Sequence, residues 1–510
     1  MKKISCFIVF LICSLSNFLG KVKRNFRNFI EMLISEGSSS STSSSSSEDE
    51  NNSIVNHQGE KIIRLKRWKK LKKWAKDDHM SIYTFKPFKM VHLKYDKNLK
   101  YPAARSGHRI ICTESNIYLL GGFNPEMASI ARPAAACLFT EFWKYNIATR
   151  KWELLVDRRT KNMPRELASN AIVMYRNAVI AHGGTGFPFG EANSNNTHIF
   201  GTQMSLVRKL KCSGDFPWPQ YGPSLVIHDD YLYTIGGTTG YDYFCDIYRL
   251  DLKTNEWASI YISRPELRED PEGRYRHETI YTGKHILILG GGTSHINYDL
   301  KKLPAFNLEK NCWEYIETKP DPSLPQRTGY PKSRKCFSCI QYEVKDVNDN
   351  SAIEAIIAGG LGNNNVHLSD IWKFKVSTMT WVSVKDDKLN KPTYFHSAAT
   401  AGNGAMYIFG GIEVRNRDSL ERTNDMYKMW TTIPKLSEMC WDAITYYDPY
   451  LDRYSTDQLL KFGIPLEFAN RVEHSKSSTK DSNRMKYRRL FENHSVLFQS
   501  PTKRFRSLSQ

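Results

Sequence analysis

The ten cysteines of this 510-residue chain do not follow the spacing of a disulfide framework, and most of them stand among apolar residues. Such cysteine usage is typical of a reducing compartment. Cys336 and Cys339 form one Cys-x-x-Cys pair, but the second pair that a structural zinc site needs is absent. The sequence therefore predicts neither a disulfide framework nor a metal site, and we expect no cofactor.

Long apolar stretches are scarce, and the one that bears on location is residues 4–20, which follow Met1-Lys2-Lys3. Its 17 residues are marginal for a membrane-spanning helix. The small-x-small site at which a secretory signal is cleaved is missing before the basic residues at 21, 23 and 24. Two interpretations stay open: a dispensable leader on a cytoplasmic and in part nuclear protein, or membrane targeting through residues 4–20.

Acidic residues are scarce in two flanking segments, which account for most of the formal net charge of +19. Residues 61–76 contain nine basic residues and no acid, and residues 475–510 contain nine basic and two acidic residues. Such flanks are typical of solvated tails or nuclear-import signals, although Trp68, Leu71 and Trp74 also suit binding to acidic lipid or nucleic acid. Because the rest of the chain is nearly neutral, we expect no specific nucleic-acid partner.

Low-complexity sequence separates the leader from the rest of the chain. Serine and threonine fill residues 38–47, and Glu48-Asp49-Glu50 follows directly. A composition without aromatic or branched apolar residues cannot bury enough surface to fold. We therefore predict a disordered linker over residues 21–80 and a disordered basic tail over residues 475–510.

The middle of the chain repeats a short apolar strand that ends in a Gly-Gly pair. The six pairs are Gly121-Gly122, Gly183-Gly184, Gly236-Gly237, Gly290-Gly291, Gly359-Gly360 and Gly410-Gly411. Tryptophans follow at Trp152, Trp257, Trp313 and Trp381. A period of about 50 residues with one Gly-Gly and one Trp is typical of the kelch form of a β-propeller blade. We therefore predict an all-β, six-bladed kelch propeller over residues 81–433, a fold that binds partners through its channel and loops.

Two of the predicted blades depart from the repeat. The second lacks its tryptophan and has Val207 near the expected place, and the sixth ends at Trp430 without an outer strand of its own. A propeller must close to satisfy its sheet edges. We therefore predict that residues 82–93 supply the outer strand of blade six.

Residues 434–474 change from strand to helical periodicity. Leu436, Cys440 and Ile444 are spaced i, i+4, i+8 and therefore share one face of a helix. They resemble the elongin-C-binding box, in which the leucine enters a pocket of the partner and the small residue permits close approach. Lys435 departs from the Ser, Thr or Pro that usually opens the box.

A second motif begins 20 residues after Ile444. Its residues, which resemble the cullin-2 box, are Ile464, Pro465, Phe468 and Val472. For either motif alone, the alternative is that the apolar helix face belongs to the core. Their occurrence in this order, directly after a propeller, favours a docking segment.

Several stretches of residues 100–472 resemble the kelch-repeat substrate receptors of cullin-2, elongin B/C ubiquitin ligases. These stretches are Ala104–His108, Met163–Ser169, Gly183–Glu191, Gly236–Tyr241, Arg274–Glu278, Leu289–Ser294 and Tyr394–His396. The resemblance implies a non-catalytic adaptor with elongin B/C and cullin-2 as partners. It also implies that client proteins are held in the propeller channel by their C-terminal degrons, typically chain ends in glycine or alanine.

Arginines recur near the start of several predicted blades. Equivalent positions of a propeller meet around one channel mouth, where guanidiniums attract a carboxylate and bind it in bidentate fashion. The predicted degron-binding residues are Arg105, Arg165, Arg274, Arg276, Arg334 and Tyr394. The alternative is that the arginines pair with acids at the blade edges, such as Glu166 and Glu278.

Other functions are favoured less by the sequence. A copper oxidase or sugar isomerase on this fold needs a convergent set of Tyr, Cys and two His, and none stands out. His108, His277 and His396 fall at a regular strand position and are predicted to lie in the core. A signalling or cytoskeletal scaffold, the main alternative to the receptor, would leave Leu436 and Cys440 as ordinary core residues.

Overall fold

A computed structural model describes residues 83–472, except 96–98, 129–133, 204, 265, 267–268, 346–350, 386 and 417–418. The predicted leader, the linker and the basic tail lie outside the described residues, as does the question of membrane targeting through residues 4–20. The described strands form six sheets of four or five strands, and three helices follow the last sheet. This confirms the predicted all-β, six-bladed propeller with a C-terminal helical segment.

Each sheet is one blade, in which consecutive strands pair in antiparallel fashion. β1 (Val91–Leu93) comes first in sequence but belongs to blade six. Blade one comprises β2 (Arg109–Cys112), β3 (Asn116–Leu120), β4 (Phe142–Asn146) and β5 (Lys151–Val156). Blade two comprises β6 (Ala171–Tyr175), β7 (Ala178–His182), β8 (Thr197–Gly201) and β9 (Val207–Lys209).

Blades three and four follow the same order. Blade three comprises β10 (Ser213–Gly214), β11 (Ser224–His228), β12 (Tyr231–Thr238), β13 (Tyr243–Asp251) and β14 (Glu256–Tyr261). Blade four comprises β15 (Glu278–Tyr281), β16 (His285–Leu289), β17 (Lys302–Asn307) and β18 (Cys312–Glu317). β10 is the exception to the antiparallel pattern, because it pairs in parallel with β14 and so covers that outer edge.

Blades five and six have longer central strands. Blade five comprises β19 (Arg334–Lys335), β20 (Ser338–Lys345), β21 (Ser351–Gly362), β22 (His367–Lys375) and β23 (Thr380–Ser383). Blade six comprises β24 (Thr393–Tyr394), β25 (Ser397–Thr400), β26 (Ala405–Asn416) and β27 (Ser419–Trp430), with β1 as its outer strand. The β26–β27 hairpin runs on beyond Gly410-Gly411 and projects past the sheet at that end.

A closed ring of six backbone hydrogen bonds joins the blades around the central axis. The N–H of each ring residue donates to the carbonyl oxygen of the ring residue in the preceding blade, at 2.7–3.2 Å. The ring residues, in blade order, are Gly107, Ser169, Gly222, Arg276, Cys336 and Phe395. All six have positive φ, between 54° and 70°. Because Gly107 donates to Phe395, the ring links blade one directly to blade six.

The apolar core is divided among the six gaps between neighbouring blades. Each repeat tryptophan is buried in the gap between its own blade and the preceding one. These residues are Trp152, Trp257, Trp313 and Trp381. Val207 takes the corresponding place between blades one and two, where it is 2% exposed. The smaller valine therefore fills the wedge that tryptophan fills elsewhere.

The outer edge of blade six is completed by β1, which pairs antiparallel with β27. Val91 lies opposite Lys428, and Leu93 lies opposite Met426 and packs against the core between blades six and one. This confirms the prediction that the segment before blade one closes the propeller. Closure joins the two ends of the repeat and covers an edge that would otherwise be open to pairing with another chain.

The C-terminal segment comprises α1 (Leu436–Tyr447), α2 (Thr456–Lys461) and α3 (Leu466–Ala469). Ser455 and Gln458 form a capping box at the start of α2, which satisfies two free backbone N–H groups. Gly463, with φ of 81°, follows α2, and Pro465 is the N-cap of α3. The apolar residues of these helices form a cluster that also includes Ala148 of blade one.

The Gly-Gly pairs are needed because backbone or side-chain atoms of the next blade occupy the space of a Cβ at their first glycine. In blade three, Gly236 and Gly237 have φ of 61° and 115°. A Cβ added at Gly236 would lie 2.8 Å from Cε1 of His277 in blade four and 3.0 Å from the carbonyl oxygen of Phe244. Burial lowers the pKa of His277 to about 3, so this ring is neutral and fixed in place. Both the backbone conformation and the close approach therefore require glycine.

Replacing Gly236 by alanine should destabilise the propeller far more than the same change at Gly283. Gly283 also has positive φ, 87°, but nothing lies within 4 Å of its added Cβ. Gly283→Ala should therefore lower the free energy of unfolding by about 1 kcal/mol, the cost of the backbone conformation alone. Gly236→Ala should lower it by a further ~2 kcal/mol through overpacking. Chemical denaturation of both variants measures the difference, and equal losses would contradict this account of the pairs.

Candidate binding sites at the channel mouth and on the C-terminal helices

The channel mouth is formed by the residues that directly precede the ring residues, one from each blade. They are Ser106, Ala168, Tyr221, Tyr275, Lys335 and Tyr394. Each pairs with a residue that directly follows a Gly-Gly pair, so the loops after those pairs surround the mouth. Tyr394 of blade six is 9% exposed, and its ring lies 5.2 Å from that of His367 in blade five. The mouth is therefore an aromatic and polar surface built from all six blades.

The channel below the mouth is filled by side chains of the protein itself. Arg276 of blade four reaches across the axis, donates to the hydroxyl of Ser169 in blade two and lies 4.7 Å above the ring of Phe395 in blade six. Further along the axis, Arg109 of blade one pairs with Glu278 of blade four at 2.7 Å. Arg276 is 3% exposed. A ligand approaching this face therefore meets the mouth rather than an open channel.

The floor of the mouth carries a positive charge that no described carboxylate neutralises. Glu278 pairs with Arg109, whereas Arg276 has a hydroxyl and an aromatic ring as its neighbours, and its Nε has no hydrogen-bond partner. Burial, together with the nearby Arg109, lowers the pKa of Arg276 to about 10, which leaves it charged at neutral pH. A buried cation in a low-dielectric wall projects its field outward. The mouth is thereby suited to an anionic ligand.

Two further cations line the mouth, and the sequence did not single them out. The Nζ of Lys335 donates to the carbonyl oxygen of Thr293 at 2.6 Å, and burial lowers the pKa of this lysine. Arg422 of β27 donates from Nε to the hydroxyl of Ser106 at 3.1 Å and pairs with Glu126 at 3.2 Å. Lys335 could have been found from the repeat, since it directly follows a blade-start arginine. Arg422 lies on the hairpin that extends beyond the sheet, which no repeat position marks.

Three of the predicted degron-binding arginines have one shared structural role. In Arg105, Arg274 and Arg334, the Nε donates to the carbonyl oxygen of the residue two positions earlier. The Nη1 of each donates to the carbonyl oxygen of the first glycine of the Gly-Gly pair in the same blade. All three are at most 4% exposed. The structure therefore places these guanidiniums inside the blades, where they tie the incoming chain to the Gly-Gly turn.

The acids that pair with these buried arginines differ from those named by the sequence alternative. Arg105 bonds Glu141 at 3.0 Å, and Arg334 bonds both oxygens of Asp370 at 2.9 and 2.8 Å. Glu141 directly precedes β4 and Asp370 lies on β22, both within reach of the buried guanidinium. Arg274 has no such acid in its hydrogen-bond set and instead lies 4.0 Å above the ring of Tyr298. Two of the three arginines therefore pair with acids, as the alternative stated, but these acids are not Glu166 and Glu278.

The equivalence predicted for blade two is corrected by the structure. The carbonyl oxygens of Arg105 and Leu167 approach the first glycine of the preceding blade's pair in the same way, so Leu167 is the residue equivalent to Arg105. Leu167 is buried, whereas Arg165 is exposed and two residues further from the ring. The sequence misplaced blade two because Asn170 stands where blades one, four and six have a histidine.

Exposed aromatic side chains stand on the loop of blade two that borders the mouth. Phe187 is 41% exposed and Phe189 is 45% exposed, and both rings contact Phe123 of blade one. Arg422 lies 5.9 Å from the ring of Phe123. The mouth therefore combines cations with an apolar wall, which suits a peptide end with an apolar side chain and a terminal carboxylate.

The helix α1 presents the predicted docking face outward. Leu436 is 55% exposed, and Cys440 and Ile444 are partly exposed one and two turns later. Met439 and Trp441 point the other way and are buried. Ile444 also makes a partial contact with the apolar cluster of the segment, whereas Leu436 and Cys440 belong to none of the described core clusters. The face is thus open along most of its length.

The four residues of the predicted cullin-2 box are divided between core and surface. Ile464, Phe468 and Val472 are at most 9% exposed and pack in the apolar cluster of the segment. Phe468 stacks against Trp441 of α1, with ring centroids 5.4 Å apart. Pro465 is exposed. The structure therefore assigns three of the four side chains to holding the helices together, and leaves Pro465 on the surface beside the exposed Leu466.

The helical segment lies on the face of the propeller opposite to the mouth. Arg471 pairs with Glu114 in the β2–β3 turn at 3.0 Å and with Glu438 of α1 at 2.8 Å. Asn403 in the β25–β26 turn donates to Glu438 at 2.9 Å. Inner strands start at the mouth and reach these turns at their other end. The two candidate surfaces are therefore at opposite ends of blades one and six.

The remaining residues that could carry chemistry have structural contacts. His108, His277 and His396 are buried in the core as predicted, and burial lowers the pKa of each ring. Within the described residues, no group of three or more His, Cys, Asp or Glu side chains is placed to hold a metal ion. In the same part of the chain, no helix is both long enough and apolar enough to cross a membrane.

Comparison with known proteins agrees with the repeat pattern. The family described as KLHDC2/KLHL20/DRC7 Kelch-repeats domain matches residues 72–237 and 140–331. The Kelch domain-containing protein 10 homolog of Drosophila melanogaster is 52% identical over 405 residues, which are 77% of this chain and 66% of that protein. Kelch domain-containing protein 10 of Xenopus laevis is 40% identical over 374 residues, and that of Homo sapiens is 39% identical over 374 residues.

These two alignments cover 73% of this chain, and 86% and 80% of the Xenopus and human proteins. The alignment with the Drosophila protein spans just under two thirds of that relative. The kelch propeller predicted from the repeats is a fold typical of interaction and adaptor proteins that catalyse no reaction. The chain belongs to the Kelch domain-containing protein 10 family.

Proposed function

We propose that this chain is the client-binding subunit of a cullin-2, elongin B/C ubiquitin ligase. Its channel mouth holds the C-terminal tail of a client, with a chain end in glycine or alanine, and its α1 helix docks elongin C. The chain itself catalyses nothing in this proposal. It holds the client near a ubiquitin-loaded partner and so raises the effective concentration of the reacting groups.

The observation that carries the proposal is the outward face of α1. A row of Leu436, Cys440 and Ile444 that served only the core would be buried, but Leu436 is 55% exposed and Cys440 is partly exposed. The same helix is fixed to the propeller from its other side through Glu438 and Trp441. An apolar stripe on a rigidly held helix is the surface that a helix-in-groove partner needs.

The charge of the mouth supports the client-binding half of the proposal. Lys335 and Arg422 stand at the rim, Arg276 lies below, and of these three only Arg422 pairs with a described carboxylate. The free carboxylate at the end of a peptide can accept hydrogen bonds from such donors. Phe187 and Phe189 offer an apolar wall for the residues before it. The client tail would therefore be read at the mouth, above the filled channel.

The alternative function is a non-catalytic scaffold that binds partners through the propeller without a ligase. Such a protein would also use the mouth, but it would have no need for the exposed face of α1. Binding of elongin B/C therefore separates the two functions.

Changing the outward face of α1 should abolish binding of elongin B/C and cullin-2 to the full chain. The double variant Leu436→Ser/Cys440→Asp places a charge in the face without touching the buried side of the helix. Loss of an anchor residue at the centre of an interface costs about 2 kcal/mol or more when that residue is a hot spot, which corresponds to about a 30-fold weakening. Co-purification with tagged wild type and variant measures the loss.

The matched control is Leu420→Ser, which removes an apolar side chain of similar exposure, 49%, from the β26–β27 hairpin. This variant should retain both partners. Absence of elongin B/C and cullin-2 from the wild-type chain would remove the ligase proposal and leave the scaffold.

Arg422→Gln should weaken binding of a peptide with a free C-terminal glycine by about tenfold, because one charge-assisted hydrogen bond is lost. The same peptide with an amidated C-terminus should bind wild type and variant equally weakly. Arg415→Gln is the control, since Arg415 is an exposed arginine of the same hairpin that pairs with Glu421. Fluorescence anisotropy with the full chain measures the affinity of each peptide for wild type, Arg422→Gln and Arg415→Gln. Equal binding of the free and amidated peptides to wild type would contradict carboxylate recognition at the mouth.

A further inference from the structure

A groove of about 720 Å³ lies on the outer side of blade two, and its walls are basic. The four cations that line it are Lys161, Arg208, Lys209 and Lys211. No acidic residue lines it. Asn195 and Phe216 also line the groove. We refer to this feature as the basic groove. Like charges gathered in one concave surface repel each other and are stabilised by an anion that enters between them.

The basic groove arises where blade two departs from the repeat. In blade one, the residue after the repeat tryptophan is Glu153, which pairs with Lys144 on the neighbouring strand at 2.9 Å. In blade two, Arg208 stands at the equivalent position after Val207, and the residue opposite it is Ile199. The acid that blade one has at this position is thus replaced by a cation whose cross-strand neighbour is apolar. The outer strand β9 is also only three residues long, which leaves the space outside it open.

The basic groove opens on the same end of the propeller as the mouth. Asn195 belongs to the loop that carries Phe187 and Phe189 at the mouth, and this loop leads into β8 at the groove. The Nδ2 of Asn195 donates to the carbonyl oxygen of Pro217, which fixes the two walls to each other. A chain that leaves the mouth over blade two therefore reaches the groove along one loop.

The walls suit an extended peptide. Phe216 is 45% exposed, and Trp218 two residues later is 60% exposed, so apolar side chains can lie beside the acids. Carboxylates and ammonium or guanidinium groups form charge-assisted hydrogen bonds. The volume holds a short segment of single chain rather than a duplex.

We propose that the basic groove binds an acidic segment of a client protein, located upstream of the C-terminal tail. This inference rests on the proposed function for the identity of the partner, and it adds a preference for clients with acidic residues before the tail. A client that is already held by its tail at the mouth meets the groove at a high effective concentration, so this second contact increases the affinity for the client.

The test uses two labelled peptides that end in the same free glycine tail and carry either a block of glutamates or a block of glutamines upstream. The glutamate peptide should bind the full chain about tenfold more tightly at low salt, and high salt should reduce this advantage. In Lys209→Glu/Lys211→Glu the advantage should disappear. The milder Lys209→Gln/Lys211→Gln should reduce it, which keeps the test valid if charge reversal impairs folding.

The matched control is Lys375→Glu/Lys388→Glu, which reverses two exposed lysines of blade five and its following loop. It should keep the full advantage of the glutamate peptide. The control is essential because residues 61–76 and 475–510 also attract acids, so the decisive quantity is the change caused by the groove variant alone.

An amidated glutamate peptide separates this inference from the proposed function. If the tail proposal fails, the free and amidated peptides bind alike, yet both still lose affinity in the groove variant. The inference is overturned if glutamate and glutamine peptides bind alike, or if the advantage survives in the groove variant. It is also overturned if single-stranded RNA, and not the glutamate peptide, loses affinity in that variant.

A further experiment tests whether an acidic segment of this chain itself binds in the basic groove. Neutralising Glu48, Asp49 and Glu50 by amide substitution should leave the affinity of the glutamate peptide unchanged. A gain of several-fold would show that the chain's own acidic run competes for the groove, and would overturn the assignment to a client.

Discussion

The ring of backbone hydrogen bonds around the axis determines what every blade presents to a ligand. Each ring residue must adopt positive φ to donate along the ring, and this conformation costs a non-glycine residue roughly 1 kcal/mol or more. Gly107 and Gly222 avoid the cost, whereas Ser169, Arg276, Cys336 and Phe395 bear it. The ring therefore keeps four side chains directed at the axis, and their contacts fill the channel. In the proposed function, a client would bind at the mouth because side chains of the protein itself occupy the axis.

The same geometry separates the two candidate surfaces. Inner strands start at the ring and end at the turns that hold the helical segment through Glu114 and Asn403. In the proposed ligase, a client tail at the mouth and a partner on α1 would bind at opposite ends of the propeller, with the length of a blade between them. The rigid closure of the propeller, by β1 at its outer edge and by Gly107 at its centre, fixes this separation.

The sequence predicted the fold because its signals repeat. Gly-Gly pairs, repeat tryptophans and the missing outer strand each follow from the packing of one blade on the next, and all were visible as periodicity. The same periodicity also marks positions that hold each blade together. Arg105, Arg274 and Arg334 recur because in three of the six blades this side chain ties the incoming chain to the Gly-Gly turn, so their repetition marks a structural role. Arg276 stands where two other blades have glycine, so the cation below the mouth does not follow from the repeat.

Other parts of the candidate site were beyond sequence reasoning for physical reasons. The spacing of Ile464, Phe468 and Val472 defines a shared helix face but does not say whether that face is turned inward, and packing against Trp441 decides it. Arg422 reaches the mouth because a hairpin extends beyond its sheet and leans on Phe123 and Glu126 of blade one. That contact depends on tertiary geometry that no local pattern encodes.

Reconstituted ubiquitin transfer tests the central claim most directly. Purified full chain, elongin B/C, cullin-2 and its RING partner would be supplied with ubiquitin, the activating and conjugating enzymes, and a lysine-bearing peptide with a glycine end. The account predicts that the peptide with a free C-terminus receives ubiquitin and that the amidated peptide does not. Equal modification of both peptides, or of neither while elongin B/C is bound, would contradict it.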